Sequence, residues 1–460
     1  MKNINKSYVF AISMVSAMGG LLFGYDWVVI GGAKPFYERF FDISTLPSLQ
    51  AWAMSSALIG CIAGALFSGI ISDRYGRKLP LIIAALLFTV SALGTGMVSD
   101  FNLFIVFRIV GGVGIGLASA LSPMYIAEVA PAKMRGGFVS LNQFTIVVGI
   151  LAAQIINMLI AEKVPAGATD TFIKESWNGQ MGWRWMFMVE AIPAFIFFVL
   201  VTLVPESPRW LVKAGRAEKA VPTLTRIGGA EYARIEIENI RETLKYASEK
   251  VNLRELFKKS YRPILLIGVF LAVFQQWSGL NTVFNYADEI FRAAGYGVSD
   301  TLFNIVITGS VNLVFTLVAM FTVDKWGRKK LMLFGAAGLT ITYILLGSAF
   351  FFGLKGVAVL SLVVIAIGVY AMSLAPVVWV ILSEIFPNRI RGAAMALATF
   401  ALWVACFILT YTFPLLNASL GAAGTFWVYA AICFVSFAFL LIKLPETKGK
   451  SLEELEKELM

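Results

Sequence analysis

Asp73-Arg74-Tyr75-Gly76-Arg77-Lys78 recurs 251 residues further along the chain as Asp324-Lys325-Trp326-Gly327-Arg328-Lys329. Other pairs keep a similar offset. Glu128 with Arg135 returns as Glu384 with Arg391 after 256 residues, and Pro205-Glu206-Ser207 returns as Pro445-Glu446-Thr447. Ordered motifs repeated at such a distance mark a chain built from two like halves. Each motif closes or follows a long apolar run, so the halves are sets of membrane spans rather than soluble domains.

Twelve such runs are legible: 8–33, 51–71, 79–98, 102–127, 137–161, 183–204, 263–291, 300–323, 331–352, 357–386, 392–416 and 424–443. One long hydrophilic stretch, 205–262, divides them six and six. Its Lys and Arg residues alternate with Glu at helical spacing, which predicts a few short solvated helices. The expected architecture is an all-α membrane protein of twelve transmembrane helices in two six-helix bundles, 1–204 and 263–443. A helical linker, 205–262, and a tail, 444–460, complete it. Composition agrees. Of 460 residues 58% are hydrophobic and only 14% charged, against about 25% charged in a typical soluble protein.

The surplus of 38 Lys and Arg over 28 Asp and Glu sits in short loops, which suits a membrane topology signal better than nucleic-acid binding. Arg74, Arg77, Lys78, Lys133, Arg135, Lys325, Arg328, Lys329, Lys330, Arg389 and Arg391 fall on one face, which the positive-inside rule makes cytoplasmic. Both termini and the linker are then cytoplasmic too, in a multi-pass protein of the cell's inner membrane. No cleavable leader is read at the N-terminus, so the first run is taken as a retained helix. Cys61, Cys406 and Cys433 lie in apolar runs without a spacing pattern, and no cofactor or metal is expected. Histidine is absent from the sequence, so any proton chemistry falls to carboxylates. No nucleophile–base set or phosphate loop appears, and an enzyme is not expected.

Within the first run stands Phe23-Gly24-Tyr25-Asp26-Trp27-Val28-Val29-Ile30. Asp26 lies about three-quarters of the way along it, where a lone carboxylate is costly unless neutralised or paired. Arg108, inside the fourth run, likewise needs a counter-ion. Gly111, Gly112, Gly114 and Gly116 behind it read as small-residue helix packing. Glu190, early in the sixth run, is a third buried-looking charge, equally suited to tuning Asp26 and to a structural partnership. The seventh run carries Gln275, Gln276, Asn281 and Asn285. At about 100° per residue the first three cannot share one face of an unbroken helix, and Ser278-Gly279 is a plausible break.

These residues resemble a known family, the sugar porters of the major facilitator superfamily. The resemblance covers essentially the whole chain. Gly69 to Lys78, Arg108-Ile109-Val110-Gly111-Gly112, Pro123-Met124-Tyr125-Ile126-Ala127-Glu128, Pro205 to Leu211, Gln275 to Asn281 and Pro445 to Gly449 carry it. Within the family the pattern is most similar to bacterial xylose–proton symporters, which have Asp at the place of Asp26. The resemblance implies the major facilitator fold and proton-coupled symport of a monosaccharide by alternating access, with sugar and H⁺ as the partners of a monomeric carrier. It implies an Asp26–Arg108 contact, and it supports sugar binding by Gln143, Gln275, Gln276, Asn281, Asn312 and Trp379, with Phe23 as a ring near the sugar. Departures occur at Leu402, Asn285 and Ile150, where relatives carry a polar residue, a tyrosine and a second fifth-span glutamine. Each removes or moves a hydroxyl contact.

Physically, buried amides suit a neutral polyol because they both donate and accept, and aromatic faces add apolar contact. The pairs Asp73/Arg77, Glu128/Arg135, Asp324/Arg328 and Glu384/Arg391 read as a gate network that biases one open state against the other. An uncoupled sugar uniporter is the alternative reading. A non-transporting sugar sensor fits less well, because such sensors usually carry a long cytoplasmic extension.

Overall fold

The computed structural model describes residues 4–165, 167–246, 256–387 and 390–448. Among them the regular structure is entirely helical. The first half contains α1 (Lys6–Phe40), α2 (Pro47–Tyr75), α3 (Lys78–Met97), α4 (Phe101–Val129), α5 (Arg135–Ile160) and α6 (Asn178–Leu203). The second contains α7 (Arg262–Asn285), α8 (Val298–Trp326), α9 (Arg328–Phe351), α10 (Val357–Ile385) and α11 (Arg391–Lys443). α11 is 53 residues long but turns at Gly421, whose φ of 66° and ψ of 175° leave the helical region, so it supplies two apolar crossings. Twelve crossings result, as the hydropathy pattern predicts.

Short helices at Pro208–Lys213, Ala217–Gly228 and Ala230–Tyr246 form the linker. Their buried residues, among them Leu211, Leu224 and Ile237, make a small core of their own that also takes in Val9 of α1. The alternating charges of this stretch thus decorate amphipathic helices.

Backbone fit, rather than bulk, sets the helix spacing. A methyl added at Gly112 of α4 would lie 1.8 Å from the carbonyl oxygen of Ala57 in α2, so these two axes approach as closely as bare glycine allows. The two halves touch mainly where α2 packs on α11 and where α5 packs on α8.

Two crossings are interrupted. α7 breaks where Gly279 adopts φ 83°, a left-handed conformation natural to glycine, between Arg262–Trp277 and Leu280–Asn285. α10 breaks at Ser373, between Val357–Met372 and Leu374–Ile385. Irregular backbone at membrane depth is tolerated only where it is buried in protein or lines a cavity. α1, by contrast, does not stop at 33. It runs seven residues past that bound, to Phe40, and carries Lys34, Glu38 and Arg39 into the buried interior.

Candidate functional site

Asp26 and Arg108 are each 2% exposed, and the guanidinium Nη1 donates to the Asp26 carboxylate. Arg108 Nη2 also reaches the Asp26 backbone carbonyl at 3.5 Å, and the guanidinium lies 5.5 Å from the Phe187 ring. A pair this well buried holds together only because each charge neutralises the other; removing one partner strands the remaining one. The second carboxylate oxygen of Asp26 has no hydrogen-bond partner among the described residues. A methyl on Gly111 would sit 2.8 Å from that oxygen, so bare glycine is what lets α4 pack this closely on Asp26. Glu190, also 2% exposed, lies within electrostatic range of both charges, and its Oε1 is unpartnered among the described residues.

One helical turn separates Phe23 and Trp27 on α1, and both rings meet Trp403 of α11, at centroid distances of 6.0 and 6.2 Å. They contact each other at 6.1 Å. Beside this aromatic group stand the interrupted helices. Across the α7 break Asn281 Nδ2 donates to Gln276 Oε1, so the break lets two amides meet that a straight helix would separate. Gln275 Nε2 donates to the carbonyl oxygens of Leu374 and Ala375, at 3.4 and 3.1 Å, directly after the α10 break. An amide beside one break thus bonds the backbone that opens the second segment of the other broken helix. Gln143 lies on α5, Asn312 on α8 and Trp379 on α10, with Trp379 37% exposed and Asn312 buried. No hydrogen bond links these three to one another among the described residues. Asn285 is buried with its Oδ1 unpartnered.

On the face that carries the linker, the charges form two matching constellations. Arg77 holds Glu128 through two bonds, at 2.8 and 2.9 Å, and approaches Asp73 at 3.8 Å. Ser207 Oγ donates to Glu128 at 2.5 Å, and Glu206 accepts the backbone N–H of Arg77 at 2.9 Å. In the second half Arg328 pairs with Glu384 at 3.0 Å and Thr447 Oγ1 donates to Glu384 at 2.5 Å, while Glu446 accepts the Arg328 N–H at 2.9 Å. The charged partner of Glu128 is thus Arg77 rather than Arg135, and that of Glu384 includes Arg328. Arg391 Nε bonds the Phe386 carbonyl at 3.1 Å. The side chain of Asp324 lies outside the described residues. Each set of bonds just described stays within one half.

Charged residues that join the halves occur on the opposite face, and sequence reasoning missed them. Lys34 Nζ sits 2.5 Å from Glu289, beyond the broken α7, and 3.2 Å from Glu38. Asn417 of α11 donates to Glu289 at 3.2 Å, and Gln50 of α2 donates to Glu38 at 3.3 Å. Asp288 and Glu289 fall within the run 263–291, and charges inside an apolar run were the signal that could have flagged this cluster. Glu206 and Glu446 were legible as repeats, but their task of tying down the starts of α3 and α9 was not.

Two pseudo-equivalent sets of six crossings, interrupted helices facing one another and a membrane-buried ion pair define a multi-pass membrane carrier of the major facilitator fold. The model of the sugar (and other) transporter family matches residues 12–459, and the chain belongs to that family. It is 40% identical over 451 residues to the arabinose-proton symporter of Bacillus subtilis, covering 98% of this chain and 95% of that one. Against the D-xylose-proton symporter of Escherichia coli K12 it is 40% identical over 485 residues, with 98% and 96% covered. The xylose transporter of E. coli solved in an inward-open conformation superposes with a TM-score of 0.86 at 39% identity, over 98% of this chain and 100% of that one.

Proposed function

We propose that the chain is a monosaccharide–proton symporter of the cytoplasmic membrane, working by alternating access. The Asp26–Arg108 pair carries this reading. A carboxylate needs a reason to be kept at membrane depth, and exchange of a proton supplies one. Ionised, Asp26 is held by Arg108; protonated, it releases the guanidinium and no longer resists burial, so proton uptake changes which arrangement of the bundles is favoured. Phe23 lies three residues before Asp26 on the same helix. Sugar held against Phe23 and Trp403, by Gln276 and Asn281 together with Gln143, Gln275, Asn312 and Trp379, therefore acts on the element that carries the proton. Two ligands that bias one equilibrium are coupled.

The bundles 1–204 and 263–443 rock about this site, with 205–262 as a cytoplasmic brace and 444–460 as a cytoplasmic tail. The positive-inside rule makes the linker face cytoplasmic. With Lys34–Glu289 sealing the opposite face and each charge constellation kept to its own half, the conformation described here is the inward-facing one. Glu190 adjusts the Asp26–Arg108 pair. The sugar is a pentose or a hexose such as xylose or glucose, and the carrier acts as a monomer.

Asp26→Asn tests the reading. In proteoliposomes it is expected to abolish accumulation of sugar against a gradient while sparing equilibrative exchange. Undiminished uphill uptake, or the absence of any sugar-driven proton movement in the unaltered protein, would leave a uniporter instead.

A further inference from the structure

Gln154 lies on α5, eleven residues beyond Gln143 and four beyond Ile150, so the three share one face of that helix. Its side chain is 2% exposed, and among the described residues neither Oε1 nor Nε2 has a hydrogen-bond partner. Buried primary amides are ordinarily paired, and one left open at both ends asks for a partner from outside the chain. Interhelical adhesion does not answer, because adhesion needs a polar group across the interface. What faces Gln154 on α8 is Gly309, where an added methyl would lie 1.8 Å from the amide oxygen. The amide packs against the bare Gly309 backbone at the seam between the two halves.

The surroundings are polar in a directed way. On α8 the buried residues Thr301, Asn304, Thr308, Asn312 and Thr316 recur at three- and four-residue spacing, one stripe along the helix. Asn312, one of the proposed sugar ligands, is three residues from Gly309, and Asn304 Nδ2 is unpartnered among the described residues. Gln154 is therefore aimed at the same interface that Asn312 occupies. One turn nearer the linker face the corresponding position is the apolar Ile150.

We propose that Gln154 is a sugar-contacting and specificity-determining residue: its amide exchanges hydrogen bonds with a hydroxyl at the end of the monosaccharide remote from the linker face, the contact that Ile150 cannot make. The inference rests on the reading of the chain as a sugar carrier. It places a hydroxyl-reading amide of α5 one helical turn beyond position 150, which draws the bound sugar away from the linker face and changes which hydroxyls are recognised.

The test is titration of the purified full-length protein with D-xylose, L-arabinose, D-glucose and D-galactose, followed by intrinsic tryptophan fluorescence. Three proteins are compared: the unaltered chain, Gln154→Leu, and Ile150→Gln combined with Gln154→Leu. Thermal unfolding is recorded for each, and Gln154→Met, of matching length, replaces Gln154→Leu in both if that variant fails to fold. The single variant is expected to weaken binding of the preferred sugar about tenfold, the scale of one lost hydrogen bond at a desolvated site, with Tm held or raised. The double variant is expected to recover affinity with an altered order among the four sugars. Unchanged affinities across the panel in the single variant would overturn the proposal and leave Gln154 a packing residue. If the unaltered protein binds none of the four, the transport reading falls, and this inference with it.

Discussion

Lys34 of α1 and Glu289, beyond the break in α7, form an ion pair 2.5 Å long between the two halves, with Lys34 2% exposed. It stands on the face opposite the two constellations that tie Arg77 to Glu128 and Arg328 to Glu384. One lysine serves two carboxylates, because Glu38 lies 3.2 Å away on the next turn of α1. Separating the halves on that face would leave Lys34 with Glu38 alone and deprive Glu289 of its cation.

Lys34→Met removes the shared cation and leaves two carboxylates facing each other. Breaking a buried pair in this way costs roughly 3 kcal/mol, so the closed state of that face is expected to lose about a hundredfold in relative population. Spin labels at the ends of α5 and α8 remote from the linker should then report longer separations than in the unaltered protein. An unchanged distance distribution would show that the pair does not hold that face shut.

Arg77→Ala is expected to lower the unfolding temperature in detergent by several degrees. Arg77 is 7% exposed and bonds Glu128 twice, so its loss strands a carboxylate to which, among the described residues, only Ser207 still donates. Lys213→Ala serves as the contrast. Its pair with Asp73, at 2.9 Å, has both side chains about half exposed, and such pairs contribute at most about 1 kcal/mol. Equal losses from the two variants would contradict the distinction between buried and solvated charge.

Much of this was legible in the sequence, for physical reasons. Lipid demands long apolar runs, so the crossings announced themselves, and the duplicated charge motifs fixed the division into halves. Ser278-Gly279 was readable as a break because glycine tolerates positive φ and because the amides around it would otherwise diverge. The break at Ser373 had a signal as well: Pro376, three residues on, lacks the N–H that would bond the Met372 carbonyl, but it stands among Val, Ile and Leu that read as one apolar run. The end of α1 was misplaced at 33 because hydropathy stops where charge begins, whereas the helix continues to Phe40 wherever charges find partners. Lys34 finds its partner in the other half, 255 residues away at Glu289, and Arg39 finds Asp170 131 residues on. Arg77 was hidden as the partner of Glu128 because 51 residues separate them, while sequence proximity favoured Arg135. Gln154 went unremarked because an amide's lack of partners is a property of packing alone.

Gly112→Ala is expected to disrupt the first half outright. The added methyl would meet the Ala57 carbonyl oxygen at 1.8 Å, and backbone cannot swing aside as a side chain can. Overpacking of this kind costs about 1–3 kcal/mol where the structure can shift, and α2 is also held by α11. Gly137→Ala, with nothing within 4 Å of the added methyl, should express and unfold as the parent does. Comparable yields from the two would mean that α2 and α4 are not in contact at that depth.

Gln276→Ala is expected to weaken sugar binding far more than Leu402→Ala, by roughly tenfold or more. Gln276 is 6% exposed and its oxygen already accepts from Asn281 across the helix break, so the two amides are oriented before a sugar arrives. A pre-set pair loses little freedom on binding, which concentrates affinity there. Leu402 is 4% exposed and lacks any group able to bond a hydroxyl. Its truncation should therefore appear as a lower unfolding temperature at near-parental affinity. Calorimetric titration of both variants with the sugar that the unaltered protein prefers separates the two effects. A larger affinity loss from Leu402→Ala would move the sugar site off the broken helix and onto the aromatic wall around Trp403.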